Sequence, residues 1–427
     1  PIFKQNFITI SYNYTNRNYN RFIVTSSVKH QTEKLKLSFD AFLENDNKNA
    51  PLSLNLSKED EQILANAGNN QDLMFAPSAV ITEYDVNKIL YKLVQNPQGN
   101  YYEFSTDKAE TLYNVSFTYF GIGKGDYKLK QSTNNGRIFE YVGAGNGDYS
   151  ALRKLPSPQK SQVFSTSAEY TFNKGKIGGD FSLSNYDLNL FSSKNNDQNT
   201  GFAGRLFGNK IFTKNNWNGT VGAEFQRISS QFHILDRIND VEFSRDFNLT
   251  QEFNQITQNR LIFSFLNTWK NTNFINYKLN YLNEKQSYNG IKNDLDFKFL
   301  KKNTETRGNL SYLNTTSDFQ DTQFARGNVS TEFLGKKGSW SFGGSFEHNL
   351  KNFNQTKTLD VTSFSWKEVF VQKRIGDSLR TKFLAKSYFR TNDSVRDNSL
   401  KKMNNILGLM LESQLIRTEK TQLSTLV

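Results

Sequence analysis

Strict period-two alternation of apolar and polar residues, sustained over segments of about 9 to 14 residues, limits this chain to extended strands with one greasy face. Phe164, Thr166, Ala168, Tyr170 and Phe172 share one side, while Ser165, Ser167, Glu169 and Thr171 share the other. Asn173, Lys174, Gly175 and Lys176 then read as a tight turn, and Ile177, Gly179, Phe181 and Leu183 resume the pattern on a return strand. Together these predict a β-hairpin. The same grammar recurs in Ile8, Ile10, Tyr12 and Tyr14, in Leu35 to Leu43, and in Ile275, Tyr277, Leu279 and Tyr281. It continues through Leu295, Phe297 and Phe299, with a polar loop expected at Asn289 and Gly290. Val329, Thr331 and Phe333 lead to a turn at Gly335 to Gly338, followed by Trp340, Phe342, Gly344 and Phe346.

Such segments number roughly 16 to 20, and many are long enough for a tilted strand to cross a bilayer. Strands of ordinary soluble domains average only about five or six residues. The expected fold is therefore all-β: a transmembrane antiparallel up-and-down β-barrel with long loops, forming one domain over residues 1–427. Composition agrees. Hydrophobic residues make up only 36% and mean hydropathy is −0.66, yet there are 37 Phe and 19 Tyr, a combination that disordered chains lack. A lipid-facing surface diluted by wet loops and a wet interior gives this average. No stretch reaches the 18 or so apolar residues of a transmembrane helix. The start at Pro1, without a signal peptide, reads as a mature chain or an internal fragment.

One region departs from alternation. Residues 47–110 read as a loop-rich insertion, with a short helix announced by Ser57 as N-cap, Glu59 and Asp60 in the first turn, apolar Ile63, Leu64 and Ala67, and a Gly68 stop. The stretch Ile81 to Val94 fits strand or loop equally. Two copies of a G-x-G-D-Y element follow, Gly123 to Tyr127 and Gly145 to Tyr149, spaced by 22 residues. Glycine frees the backbone and Asp accepts turn amides, so a repeated turn is the plain reading. Asp126 and Asp148 are the weak candidates for a metal site.

Zero cysteines exclude disulfides, zinc fingers and iron-sulfur centres. The net charge of +12 is spread along the chain without the compact basic block of a nucleic-acid arm, so no nucleic acid is expected as a partner. His30, His233 and His348 have no histidine at ligand spacing, and neither G-x-S-x-G nor H-E-x-x-H occurs. No cofactor and no catalytic residue are expected. Trp217, Trp269, Trp340 and Trp366, near strand ends, are the candidate aromatics of a membrane interface. Arg245, Asp246, Arg326 and Arg374 belong in a lumen or at a rim, because facing lipid is costly for them.

The Asn-, Lys-, Phe- and Tyr-rich hairpins, together with Tyr141-Val142-Gly143-Ala144-Gly145-Asn146-Gly147-Asp148-Tyr149 and Leu155-Pro156-Ser157-Pro158, resemble large outer-membrane barrel proteins of Bacteroidota. The resemblance implies the outer membrane of a Gram-negative cell, contact with its lipid, and other outer-membrane or periplasmic proteins as partners. Three functions follow as expectations. The first is transport or translocation across that membrane. The second is a non-conducting scaffold in a multiprotein complex for secretion, nutrient uptake or barrel assembly. The third, ranked lowest, is a membrane-embedded hydrolase.

Overall fold

A computed structural model describes residues 20–48, 56–97, 99–249, 256–270, 272–285, 287–335, 340–375, 382–417 and 422–426. The expected strand at Ile8 to Tyr14 lies outside them, as does most of the turn at Gly335 to Gly338. Strands occupy 64% and helices 5%, so the chain is all-β. It divides into two compact units. The first comprises residues 1–25, 42–163 and 185–200; the second comprises 26–41, 164–184 and 201–427.

The second unit is dominated by one large antiparallel sheet. Its early strands are Arg21–Gln31, Leu35–Asp46, Lys160–Phe172 and Gly175–Asp187, parts of which fall in the first unit. From Thr200–Lys214 onward each long strand pairs with the next: Trp217–Ile228, Gln258–Trp269, Asn273–Glu284, Tyr288–Lys301, Thr304–Ser317, Thr322–Phe333, Trp340–Phe353, Phe364–Ile375, Lys382–Arg396, Ser399–Arg417 and Gln422–Leu426. The polar loop expected at Asn289 and Gly290 is shorter than the sequence suggests. Both residues are inside a strand, paired with Asn283 and Leu282, because the ladder closes over residues 285–287.

Connections between consecutive strands fall at alternate edges. At one edge of the sheet they are residues 32–34, 173–174, 215–216, 270–272, 302–303, 334–339, 376–381 and 418–421. The tightest put Lys174, Asn215 and Lys302 at positive φ, where side chains normally resist going, to reverse the chain at once. The other edge carries the short connections 285–287, 318–321 and 397–398 and the longer ones 188–199, 229–257 and 354–363, and 47–159 likewise joins two strands of the sheet.

The first unit is built differently. The predicted helix is present as α1 (Lys58–Ala67), with both halves of a capping box: Asp60 N–H donates to Ser57 Oγ at 3.2 Å, and Ser57 N–H donates to Asp60 Oδ2 at 3.0 Å. Its last carbonyls are taken by distant side chains. Asn189 Nδ2 donates to Leu64 O and Gly68 O, Ser192 Oγ to Ala65 O, and Lys194 Nζ to Asn66 O. Leu64, Ala67, Met74, Ala76 and Leu155 pack into a dry core beside it. Short strands account for most of the rest: Val80–Thr82 and Tyr91–Val94, in the stretch that fits strand or loop equally, join a small four-stranded sheet.

Candidate functional site

Strand register sorts the large sheet into two faces. One carries Val221, Phe225, Phe263, Phe265, Tyr277, Leu310, Phe342, Val369, Phe389, Leu407 and Leu409, cross-strand neighbours within a continuous apolar field. These side chains are exposed: Val369 by 62%, Leu409 by 66% and Leu407 by 81%. The other face is charged and better covered. Glu368 and Gln372 are only 4% exposed there, and Ser341, Asn280 and Lys292 are buried as well. Water-soluble domains arrange their side chains the other way round.

The charges on the covered face are paired across strands. Glu368 receives Lys386 Nζ at 2.5 Å and Arg390 Nη2 at 2.7 Å, and the Arg390 guanidinium lies 4.3 Å from the centre of the Trp366 ring. Glu332 accepts from Ser341 Oγ at 2.6 Å and pairs with Arg374 at 3.2 Å. Arg205 joins Asp180 at 3.2 Å to Glu224 at 2.9 Å. A cavity of about 800 Å³ opens among these groups and is lined by Asp296, Lys298, Glu305, Arg307, Glu332 and Arg374 with their neighbours. Both acidic and basic side chains line it. Arg307 donates to Ser330 Oγ at 3.3 Å.

A second feature of this face interrupts its polarity. Leu282, Tyr288, Leu313 and Phe324 occupy positions where neighbours are charged, and they form the floor of a small core. Its roof is α2 (Phe243–Asp246), in the connection 229–257, which lays Phe243 and Phe247 onto them. Asp246 anchors the arrangement by bridging Lys292 Nζ at 2.9 Å and Arg326 Nη1 at 2.8 Å. Tyr288 Oη donates to Phe247 O at 2.6 Å, and Arg260 stacks 5.0 Å over the Phe243 ring. Burial raises the pKa of the Asp246 carboxyl, but Lys292 and Arg326 outweigh it and hold the group below the usual carboxylate value. The connection is thus folded against the charged face. The sequence carried a sign of this, since Leu282, Leu313 and Phe324 are apolar on the wrong side of the alternation.

The tryptophans separate. Trp217, Trp269 and Trp340 stand on the exposed apolar face at the edge with short connections, where Trp217 and Trp269 stack at 5.2 Å and Lys373 lies over Trp340 at 5.4 Å. Trp366 does not join them. It is near a strand end, as expected, but its period-two companions are Glu368, Gln372 and Arg374, so the pleat turns it to the charged face. Arg326 and Arg374 are on that face too, while Arg245 pairs with Glu242 at 2.9 Å near the surface.

In the first unit the two G-x-G-D-Y copies pair with one another. Gly125 and Gly147 exchange both backbone hydrogen bonds at 2.8 Å; Asp126 N–H reaches Tyr149 O and Asp148 N–H reaches Tyr127 O, also at 2.8 Å. The backbones approach so closely that a Cβ on either glycine would lie 2.4 Å from the opposing main chain. Asp148 Oδ1 accepts from Gly123 N–H at 3.0 Å. Among the described residues no three His, Cys, Asp or Glu side chains gather as a metal site, and nothing further marks Asp126 and Asp148 as ligands. Tyr127 beside them is buried, which pushes its phenol up to about 12.

No protein-family model matches the chain, and no curated protein does.

Proposed function

We propose that this is an integral outer-membrane protein whose large sheet closes into an antiparallel barrel and acts in transport or translocation across that membrane. One observation carries the reading: the sheet exposes a continuous apolar face and covers a charged one. Exposed apolar patches beyond a few hundred Å² are rare on soluble monomers and call for a covering phase. Strands of about 12 residues extend roughly 40 Å, or about 28 Å when inclined by 45°, which matches the hydrocarbon thickness of a bilayer. Among the described residues no helix is long and apolar enough to cross a membrane, so the crossing falls to strands. The aromatic edge formed by Trp217, Trp269 and Trp340 fits a bilayer interface, and the longest connections gather at one edge, as in outer-membrane barrels.

In this reading the 800 Å³ cavity belongs to a polar passage, narrowed by the connection 229–257. Detergent-purified protein placed in a planar bilayer then conducts ions with little preference between cation and anion. Asp246→Ala frees α2 and raises unit conductance several-fold. A chain released from membranes by alkaline carbonate overturns the membrane assignment; one that stays in the membrane and never conducts overturns the passage.

The first unit favours a second reading, a scaffold within an outer-membrane complex. Its own dry core gives it the means to present a surface, and Val80, Ile81 and Ile122 are exposed by 65%, 68% and 86%. Stoichiometric partners recovered with the non-conducting chain would favour that role.

A further inference from the structure

The apolar face of the large sheet is not uniformly bulky. Ala325 and Gly327 leave a trough between the strands on either side. Leu310 and Tyr312 form one wall; Phe346 and His348 form the other. The volume is about 360 Å³, near the small end of the range for ligand pockets. Gly327 keeps it open, since a Cβ there would lie 2.6 Å from Leu310 Cδ2. Within these hydrocarbon walls, His348 Nδ1 is buried without a hydrogen-bond partner, although its ring stacks on Phe346 at 5.8 Å. Leaving a buried imidazole nitrogen unpaired is costly, so a partner is expected to satisfy it.

We infer that this trough holds one acyl chain of a membrane phospholipid, with His348 Nδ1–H donating to the ester carbonyl oxygen of the same lipid. The inference rests on the proposed membrane reading and adds a discrete lipid site to it. Two observations select this occupant. The trough is continuous with the exposed apolar field, so whatever covers that field reaches it. Its lining also carries buried polar atoms without a partner, His348 Nδ1 with Ser311 Oγ and Arg326 Nε, and such a donor is met by an ester oxygen, a strong acceptor that a phospholipid carries next to its hydrocarbon.

The test is native mass spectrometry of the full chain extracted from membranes in mild detergent, with phosphatidylethanolamine of one acyl composition added back after delipidation. One lipid per wild-type chain is expected to be retained. Ala325→Phe, which fills the trough from its floor, should lower retention at least about tenfold, and His348→Leu, which leaves the trough apolar, by a smaller factor. Val329→Phe provides a second filling variant should Ala325→Phe not fold. Wild-type chain that retains no lipid, or filled variants that retain as much as wild type, would overturn the site. So would loss of a dimer in the filled variants, which would assign the trough to a second copy. A chain that alkaline carbonate releases from membranes fails the membrane reading itself; a membrane-integral chain without retained lipid fails only this inference.

Discussion

The two units of this chain draw on the same aromatic-rich composition and place it in opposite ways. In the first, Leu64, Met74, Leu90, Tyr91 and Leu155 are at most 2% exposed, and the buried Asp60 pairs at 2.6 Å with the partly exposed Arg153. Apolar groups go in and the helix ends are satisfied, as in a domain that water surrounds. In the second, Leu407, Leu409 and Val369 point out, and the buried positions are taken by Glu368, Gln372 and Lys292. A side chain's place depends on the surrounding phase as much as on its own polarity. On the proposed function, the contrast corresponds to two environments for one chain.

The sharpest way to break that contrast is to damage the first unit's core. Leu64→Ala should cost about 2–5 kcal/mol and strip hydrogen-exchange protection from residues 58–77 and 152–155, leaving the long strands protected. Loss of protection throughout the sheet would show that the units do not have separate cores.

A charge on the outward face comes next. Leu409→Arg should destabilise the chain by about 2–4 kcal/mol in lipid vesicles, measured by denaturant unfolding. Ile122→Arg, at an even more exposed position but in the first unit, should stay within about 0.5 kcal/mol. Equal effects at the two positions would erase the distinction between their surroundings.

Gly147→Ala probes the paired G-x-G-D-Y turns. With Tyr127 backbone atoms 2.4 Å from the added methyl, there is nowhere for it to go, and a cost of about 1–3 kcal/mol is expected. Thermal unfolding of the first unit would register it, and an unchanged midpoint would mean that the two copies do not meet.

The smallest effects are titrations, one in each unit. Tyr127, raised in the folded state to about 12, contributes stability that is complete below its unfolded value near 10 and is lost as pH rises through about 12. Tyrosinate absorbance should therefore lag behind that of the exposed tyrosines. Asp246 is shifted the opposite way, so its contribution is present above the unfolded value near 3.9 and is lost as pH falls through its lower folded value. The hold of α2 on the charged face should persist to about pH 4 and weaken only in stronger acid. Channel recordings in which conductance already rises near neutral pH would rule out Asp246 as the anchor.

Much of this was legible in the sequence because a strand has only two sides. Alternation in Phe164 to Phe172 and Ile177 to Leu183 located a hairpin, and Ser57 with Asp60 and Gly68 located α1, since caps act over three or four residues. Trp366 shows the limit of reading by position. Its nearness to a strand end suggested an interface, but its parity with Glu368, Gln372 and Arg374 decided its face, and that parity was available in the sequence.

What the sequence by itself determined is local: strand periods, tight turns, the capped helix, and the absence of thiol chemistry. Only the tertiary structure decided that the G-x-G-D-Y copies pair with each other across 22 residues of spacing, that Asn189, Ser192 and Lys194 close the end of α1, and that α2 packs onto the charged face with Asp246 between Lys292 and Arg326. The physical reason is range. Alternation, capping and turn preference are set by neighbours a few residues away, whereas these contacts join groups tens of residues apart, and their free energy appears only once the sheet has fixed the register that brings them together.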